Sequence, residues 1–241
     1  MNKYLIIGAG KLAKHLEHYL KFLDCSVTSW DRSQDPHLFN SKLHDATHIL
    51  LAISDSALKN FYCKYLEGLE KTVVHFSGAL HVDGMIAAHP LMTFGPQLYE
   101  LEMYRRIHFV LTGAASLQTA IPDLPNSFSL LSSEKKSLYH ALCVMAGNFP
   151  IILWQKMFFE FEKLGISTEA PRVYLEAALK NSLQNPQTAL TGPLARKDRT
   201  TIQKNIEALE NDPFQEIYLA FVKTIAPELL TTEPLENERS L

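Results

Sequence analysis

The sequence lacks the basic excess that binding to a nucleic-acid backbone requires, because its formal net charge is -3 at pH 7. It also lacks an apolar run long enough for a membrane span, which needs roughly 20 residues. The most apolar stretch, ALCVMAGNFPIILW, is shorter, and we interpret it as a buried helix. The short apolar run near Met1 leads straight into glycines, which is not the pattern of a signal peptide. These absences predict a cytoplasmic protein without a nucleic-acid or membrane partner.

Cysteine is scarce, and the three cysteines (Cys25, Cys63 and Cys143) are far apart in the sequence. They form neither a close pair nor a metal-ligand spacing, so we predict reduced, buried thiols. The histidines are irregularly spaced without a nearby acidic partner, and no metal site is predicted. No serine or cysteine lies in a recognisable nucleophile elbow, which disfavours covalent catalysis.

The first half of the chain alternates short strand-like runs with helical patterns. The strand-like runs are KYLIIG, CSVTSW, THILLAIS, KTVVHFSG, MIAAHP, IHFVLTG and NSFSLLS. Such alternation predicts a largely parallel sheet with crossover helices. From Ser132 onward the patterns are helical, with an interruption at Gly147 and Pro150. The predicted fold is therefore α/β, with a Rossmann dinucleotide-binding domain over residues 1–131 and an all-helical substrate and dimerisation domain over 132–241.

The stretch YLIIGAGKLA places Gly8, Gly10 and Ala13 at the spacing of a dinucleotide-binding loop. A strand precedes the loop, a helix beginning near Lys11 and Leu12 follows it, and an acidic residue lies about 20 positions further on, which is the context that this motif needs. The free N–H groups at the start of that helix would face a pyrophosphate. The alternative is a tight glycine turn that binds no ligand.

Asp31, Arg32 and Ser33 end the second strand and give conflicting indications of the nucleotide. An acid suits the ribose hydroxyls of NAD, whereas an arginine suits the 2′-phosphate of NADP. NADP is the slightly favoured cofactor and NAD the alternative. Two later strand ends carry small or polar residues that leave room for the rest of the cofactor. These cofactor-binding candidates are Ile53 and Ser54, and Ser77 and Gly78.

The motifs IIGAGKLA, HFSGAL, HPLMTF, LYHALCVMAGNF and ALTGPLARKD resemble, in this order, a Rossmann-like family with a C-terminal helical domain of unknown function. That family is similar to pyrroline-5-carboxylate reductase and to deazaflavin-dependent NADP oxidoreductases, in the 6-phosphogluconate dehydrogenase-like group. The resemblance implies NADP or NAD binding, a substrate cleft between the two domains and a homodimer formed through the helices. Relatives commonly have a hydroxyl or small residue at the position of Asp31, so the acid here departs from the pattern of the NADP-binding members.

Four polar residues are candidates for chemistry at the nicotinamide end of a bound cofactor. His89 and Thr93 follow the fifth strand, and a histidine there could deliver a proton. The resemblance also places His140 and Asn148 in the cleft, on the first long helix of the second domain. Asn148 lies in an otherwise apolar segment, and a buried amide must bond either the protein or a ligand. The alternatives are a histidine satisfied by backbone groups and an asparagine at a helix bend. Thr191, in the loop of ALTGPLARKD, is a further substrate-binding candidate.

The favoured function is an oxidoreductase that moves hydride between a nicotinamide cofactor and a small carbonyl, imine or hydroxyl compound. His140, Asn148 and His89 are its predicted catalytic residues, and Thr93 and Thr191 its predicted substrate contacts. The alternative is a non-catalytic protein that senses the NAD(P) pool. An S-adenosylmethionine enzyme also has glycine-rich strand ends, but the helical second half disfavours it.

Overall fold

The computed structural model describes residues 1–231 and contains one sheet of seven strands, in the order β2-β1-β3-β4-β5-β6-β7. The strands are β1 (Lys3–Ile7), β2 (Ser26–Trp30), β3 (His48–Leu51), β4 (Thr72–His75), β5 (Ile86–Pro90), β6 (Phe109–Thr112) and β7 (Phe128–Leu130). All seven predicted strands are present. The pairings from β2 to β5 are parallel, β6 is antiparallel to β5, and β7 is parallel to β6. The prediction of a largely parallel sheet is confirmed.

Residues of β1 alternate between two apolar layers, one on each face of the sheet. Tyr4 and Ile6 pack in one cluster, and Leu5 and Ile7 in the other. Successive side chains of a strand point to opposite faces, so a nearly unbroken apolar run is what a sheet covered on both sides requires. The order reverses at β1: the chain passes from β1 to β2 on one side, then to β3 on the other. Parallel sheets bind ligands beside such a switch point, outside the carboxyl ends of the strands.

Helices flank the sheet and make up the described chain after β7. Those up to β7 are α1 (Lys11–Phe22), α2 (Pro36–Asp45), α3 (Asp55–Tyr65), α4 (Leu101–Arg105) and α5 (Leu117–Ala120). Those after it are α6 (Lys136–Gly147), α7 (Phe149–Lys163), α8 (Ala170–Gln184), α9 (Gly192–Arg196), α10 (Arg199–Ala208) and α11 (Phe214–Ile225), with short 3₁₀ turns at Ser133–Lys135 and Pro227–Leu230. The predicted change to helices and the interruption near Gly147 are both confirmed. The polar C-terminal segment TTEPLENERSL lies almost wholly outside the described residues.

The chain divides into two compact units, Met1–Gln155 and Lys156–Leu241. The predicted boundary near residue 131 marks the end of the strands, whereas α6 belongs to the same compact unit as the sheet. Within the second unit, Ile202, Val222 and Leu229 form a small apolar core. The Lys156 ammonium pairs there with Asp212 and Glu160.

Two expectations about burial are wrong. The apolar stretch from Ser133 to Lys163 is long and apolar enough to cross a membrane by length and composition, and none of its most apolar window is buried within the chain. The expectation of a helix buried within this chain was wrong. An apolar composition indicates that a surface becomes buried, but it does not show that the same chain makes the burying contact. The thiols are free, but Cys63 is exposed and Cys25 and Cys143 are half-buried.

Candidate functional site

A pocket of about 660 Å³ lies at the switch point of the sheet. The loops after β1, β2 and β3 form its walls, and backbone hydrogen bonds join them, from Gly8 N–H to Trp30 O and from Ala52 N–H to Ile7 O. Seven of the predicted cofactor-binding residues line it: Gly8, Gly10, Asp31, Arg32, Ser33, Ile53 and Ser54. The structure thus brings together three segments that are separate in the sequence.

The two glycines of the first loop serve different purposes. Gly8 has a φ of +134°, and a Cβ built on it would lie 2.2 Å from the carbonyl oxygen of Ala52. The fold itself therefore requires glycine at this position. A Cβ on Gly10 would meet nothing within 4 Å. Gly10 leaves space that no protein atom fills, as a loop that admits a pyrophosphate against its backbone would.

The start of α1 fits an anionic group in that space. Gly10 is the N-cap residue and supplies no side-chain cap, so the first N–H groups of the helix stay available. Lys11 is exposed at the first position, whereas Leu12 packs its side chain against the core and can offer only its backbone. Ala13 is buried, which permits close packing of the helix on the sheet.

The Asp31 carboxylate is held by its own turn. One oxygen accepts hydrogen bonds from the backbone N–H of Ser33 (2.8 Å) and its hydroxyl (2.5 Å), and the other accepts one from the Gln34 amide (3.1 Å). These bonds, the Ser33 hydroxyl first, lower the pKa of Asp31. Arg32 is exposed at the pocket edge and makes no ion pair within residues 1–231. Because the Ser33 hydroxyl already donates to Asp31, Arg32 is the available donor at this edge.

A second group of polar residues surrounds Ser77, just after β4. The Ser77 hydroxyl donates to Asp55 (2.7 Å), and the carbonyl of Ser77 accepts a hydrogen bond from the Lys136 ammonium (3.1 Å). Lys136 is only 1% exposed, which is rare for a lysine. Burial lowers the pKa of Lys136, and the charge of Asp55 opposes that effect.

His75 belongs to the same group. Its Nδ1 accepts a weak hydrogen bond from the N–H of Ser77 (3.3 Å), so the ring proton lies on Nε2. That nitrogen is buried and has no hydrogen-bond partner in the part of the chain that the structure describes. Burial, with repulsion from Lys136, lowers the pKa of His75 to about 4.

His89 and His140, which were both predicted to be catalytic, approach each other at Gly78. A Cβ on Gly78 would lie 2.5 Å from His140 Nδ1 and 3.0 Å from His89 Nε2, so both rings can reach this strand end only because residue 78 has no side chain. The two rings are perpendicular, with centroids 5.8 Å apart. His89 Nδ1 shares a hydrogen bond of 2.7 Å with the Tyr139 hydroxyl. Burial, with repulsion from His140 and Lys136, lowers the pKa of His89 to about 4, so the ring is neutral at physiological pH.

The remaining predicted site residues, Asn148, Thr93 and Thr191, are exposed. Asn148 caps α6 and is exposed, so the desolvation argument that suggested a binding role for it does not hold. Thr93 is exposed, and its carbonyl accepts a hydrogen bond from Tyr99. Thr191 is the exposed N-cap of α9, in the second compact unit.

Sequence reasoning missed three residues of this polar cluster, namely Asp55, Lys136 and Tyr139. Lys136 is the first residue of α6, one turn before His140, but nothing in the sequence indicated its contact with Ser77. Tyr139 is the immediate neighbour of His140, but nothing in the sequence indicated its contact with His89.

Comparison with known proteins supports the fold. A family model described as "Domain of unknown function (DUF2520)" matches residues 110–225, slightly less than half of the chain. No curated protein sequence matches. A candidate NADP oxidoreductase from Bacteroides fragilis has a similar structure, with a TM-score of 0.75 and 21% identity over 94% of this chain and 98% of that one.

Two further solved structures have the same fold. Protein TM1727 from Thermotoga maritima matches with a TM-score of 0.67 and 22% identity over 98% of this chain and 99% of that one. Pyrroline carboxylate reductase from Plasmodium falciparum, solved with NADP bound, matches with a TM-score of 0.56 and 10% identity over 95% of this chain and 97% of that one. The chain thus has the fold of these proteins, a Rossmann sheet followed by a helical region, as the resemblance implied.

Proposed function

We propose that this protein is an NADP(H)-dependent oxidoreductase that reduces a small imine or carbonyl compound, or oxidises the corresponding amine or alcohol. The observation that carries the proposal is the unfilled space over Gly10 at the switch point, with a cluster of polar side chains at the neighbouring strand ends. The likeness to an NADP-bound pyrroline carboxylate reductase supports both the cofactor and the imine class, since a pyrroline ring contains a C=N bond.

The residues around the pocket fit a dinucleotide phosphate. The backbone of Gly8 to Gly10 and the start of α1 would hold the pyrophosphate, and Arg32 would bind the 2′-phosphate. Asp31, which would repel that phosphate, is instead engaged by Ser33 and Gln34. Ser54, Ser77 and Gly78 would border the nicotinamide half.

The polar cluster supplies groups for the chemistry beside that half. When bound, reduced nicotinamide supplies hydride, and the substrate nitrogen or oxygen then needs a proton. His89 and His140 both approach Gly78, where such an atom would lie. Lys136, buried beneath Ser77, holds the strand end through the Ser77 carbonyl and adds positive charge close to His89.

The test is calorimetric titration with NADPH, NADP, NADH and NAD, followed by a screen of cyclic imines and small ketoacids for NADPH oxidation. We expect NADPH to bind most tightly and at least one cyclic imine to be reduced. Failure of all four nucleotides to bind would reject the proposal. Tight binding without oxidation of NADPH by any compound would favour the NAD(P) sensor.

We also propose that the protein is a two-fold homodimer formed through its helices. Helices α6 to α8 each expose large apolar side chains. They include Leu138, Leu142, Met145, Phe149, Ile152, Phe159, Val173, Tyr174 and Leu183, which are 47–75% exposed. Apolar surface of this extent marks an interaction site, and isologous dimers are the commonest soluble assemblies.

Sedimentation velocity at micromolar concentration tests the assembly. We expect a dimer for the unmodified chain, a monomer for Leu138→Glu, and a dimer for the control Leu69→Glu, which changes an exposed leucine elsewhere. A monomeric unmodified chain that floats with phosphatidylcholine vesicles would instead show that a membrane covers these helices.

A further inference from the structure

The Asp31 carboxylate, at the end of β2, is turned into its own loop. Hydrogen bonds from Ser33 and Gln34 occupy three of the roughly four acceptor positions that a carboxylate offers. These bonds direct the carboxylate oxygens towards residues 33 and 34. An acid that serves the ribose of NAD at this strand end must instead direct its oxygens to the ligand. Asp31 could therefore serve NAD only after it releases some of its own donors.

The Gln34 side chain is held from behind by Lys42, a half-buried residue of α2. The Lys42 ammonium donates hydrogen bonds to the Gln34 amide oxygen (3.1 Å) and to the Ser29 carbonyl of β2 (2.6 Å). An ammonium can only donate, so it fixes the amide oxygen on its own side and the amide nitrogen on the side of Asp31. A line of hydrogen bonds thus runs from α2 through Gln34 to Asp31.

The same line brings a positive charge behind the acid. The 2′-phosphate of NADP is a phosphate monoester with a charge of about −1.5 to −2 at pH 7, and an uncompensated carboxylate at the strand end would repel it. The hydrogen bonds from Ser33 lower the pKa of Asp31 most, and the Gln34 amide and the charge of Lys42 lower it further. Lys42 and Arg32, which lies exposed at the pocket edge, together outweigh the single negative charge of Asp31.

We propose that Gln34 and Lys42 are specificity-determining residues, which select NADP over NAD by holding Asp31 away from the ligand and offsetting its charge. This inference rests on the proposed function and adds to it the residues that reconcile an acid at this strand end with the binding of a 2′-phosphate. Neither residue touches the nucleotide, because both act through Asp31. Arg32 remains the residue that would bind the phosphate.

Gln34→Leu tests the proposal, because it removes a donor to Asp31 without changing any charge. Asp31 is then freer to accept from a ribose, and Lys42 no longer reaches it through the amide. We expect calorimetry to show weaker NADPH binding and tighter NADH binding. The ratio of the NADPH to the NADH affinity should fall about tenfold, which is the size of effect expected for one hydrogen bond to a charged group.

Gln203→Leu, at an exposed glutamine of the second compact unit, is the matched control for Gln34→Leu. It should keep the affinity ratio of the unmodified protein. An unchanged ratio in Gln34→Leu, with both nucleotides still bound, would overturn the proposal and leave the proposed function standing.

A double-mutant cycle tests whether Gln34 acts through Asp31. In the Asp31→Asn background the negative charge is absent, so Gln34→Leu should change the ratio of NADPH to NADH affinity less than about twofold. An effect as large as in the unmodified background would show that Gln34 acts on the nucleotide directly, and it would contradict the proposal.

Lys42→Met removes the positive charge and keeps most of the aliphatic stem. We expect NADPH to bind a few-fold more weakly and NADH binding to be unchanged, and we expect the NADPH loss to shrink as the salt concentration rises, because salt screens charges near the surface. Lys59→Met, at an exposed lysine of α3, changes the net charge equally and is the matched control. If Lys42→Met weakens NADPH binding while Gln34→Leu leaves it unchanged, Lys42 binds the phosphate directly and the proposal is wrong.

Carbon-13 NMR of the Asp31 carboxyl group tests the line of hydrogen bonds without any nucleotide. We expect the pKa of Asp31 to lie below the ordinary value of an aspartate and to rise in both Gln34→Leu and Lys42→Met, since each removes a group that stabilises the carboxylate. An equal pKa in the three proteins would overturn the proposal whatever the nucleotide affinities. The predicted pKa changes in a protein that binds no dinucleotide would instead reject the proposed function, and the specificity role with it.

Discussion

The switch-point pocket and the polar cluster at Ser77 belong to the same sheet but are built in different ways. The pocket consists of three short loops, each continuous in sequence, and offers mainly backbone groups and open space. The cluster consists of single side chains joined over long distances in sequence, such as His89 with Tyr139 and Ser77 with Lys136. Under the proposed function, the first arrangement would hold the cofactor, and the second would place proton-bearing groups beside its nicotinamide. Substitutions can therefore separate binding from chemistry.

The largest expected effect comes from Gly8→Ala, which should damage the fold rather than binding alone. The added Cβ would lie 2.2 Å from the Ala52 carbonyl, on a backbone with a φ of +134°. We expect a loss of about 3–5 kcal/mol in the free energy of unfolding, from backbone strain and overpacking together. Chemical denaturation measures it. An unfolding free energy within 1 kcal/mol of the unmodified value would contradict the distinction drawn between Gly8 and Gly10.

Gly78→Ala should damage the cluster and spare the pocket. The added Cβ would lie 2.5 Å from His140 Nδ1 and 3.0 Å from His89 Nε2, and the histidine rings must move aside. We expect turnover to fall about 10²-fold or more, as when a positioned acid is lost, and the ring resonances of both histidines to shift. Gly95→Ala, where an added Cβ meets nothing within 4 Å, is the matched control. Unshifted resonances in Gly78→Ala would show that the rings do not converge there.

Arg32→Ala and Asp31→Asn test which nucleotide the protein prefers. Removing Arg32 should weaken the binding of NADPH about tenfold or more and leave the binding of NADH unchanged. The reason is that a charge-assisted hydrogen bond is worth about 1.5–3 kcal/mol. Asp31→Asn keeps an oxygen for the Ser33 hydrogen bonds and removes the negative charge, so NADPH should bind a few-fold more tightly. Calorimetry measures both. If Asp31→Asn weakens NADH and leaves NADPH unchanged, Asp31 serves the ribose of NAD and the preference is reversed.

The last prediction concerns the pH dependence of stability. The pKa of His75 falls from 6.5 to about 4 on folding, so the unfolded chain binds a proton that the folded chain does not. This contribution to stability is present above pH 6.5 and is lost as the pH falls towards 4. His75→Asn, whose amide oxygen can replace Nδ1 as acceptor, should reduce the slope of unfolding free energy against pH in that interval by up to about 1.4 kcal/mol per pH unit. Equal slopes for the unmodified protein and His75→Asn would show that folding does not hold His75 neutral.

The parts of the fold and site that could be predicted from the sequence are those that depend on contiguous residues. The seven strands, the glycine loop and the position of Asp31, Arg32 and Ser33 at the end of the second strand each depend on a short segment, so periodicity and motif spacing revealed them. The Asp31 side chain was harder, because only its hydrogen bonds to Ser33 and Gln34 show where the carboxylate is directed. Lys136 and Tyr139 could not be placed, because their partners are 59 and 50 positions away and depend on how α6 packs on the sheet unit.

Asn148 shows the opposite error. Its apolar neighbours in the sequence suggested burial, and a buried amide needs a partner. In the structure those neighbours are themselves exposed, so the inference from their composition does not hold for a single chain. The apolar composition around Asn148 indicates that this surface becomes buried, but it does not identify the molecule that buries it.

The most direct test of the central claim is a side-by-side calorimetric titration of NADPH into the unmodified protein and Gly10→Val. Because a Cβ on Gly10 meets no protein atom within 4 Å, the variant should fold normally and fail only where a pyrophosphate would lie. We predict saturable binding of one NADPH per chain to the unmodified protein and no detectable binding to the variant, with equal melting temperatures in the absence of nucleotide. Equal NADPH affinity in the two folded proteins would contradict the claim that the switch-point pocket is the cofactor site.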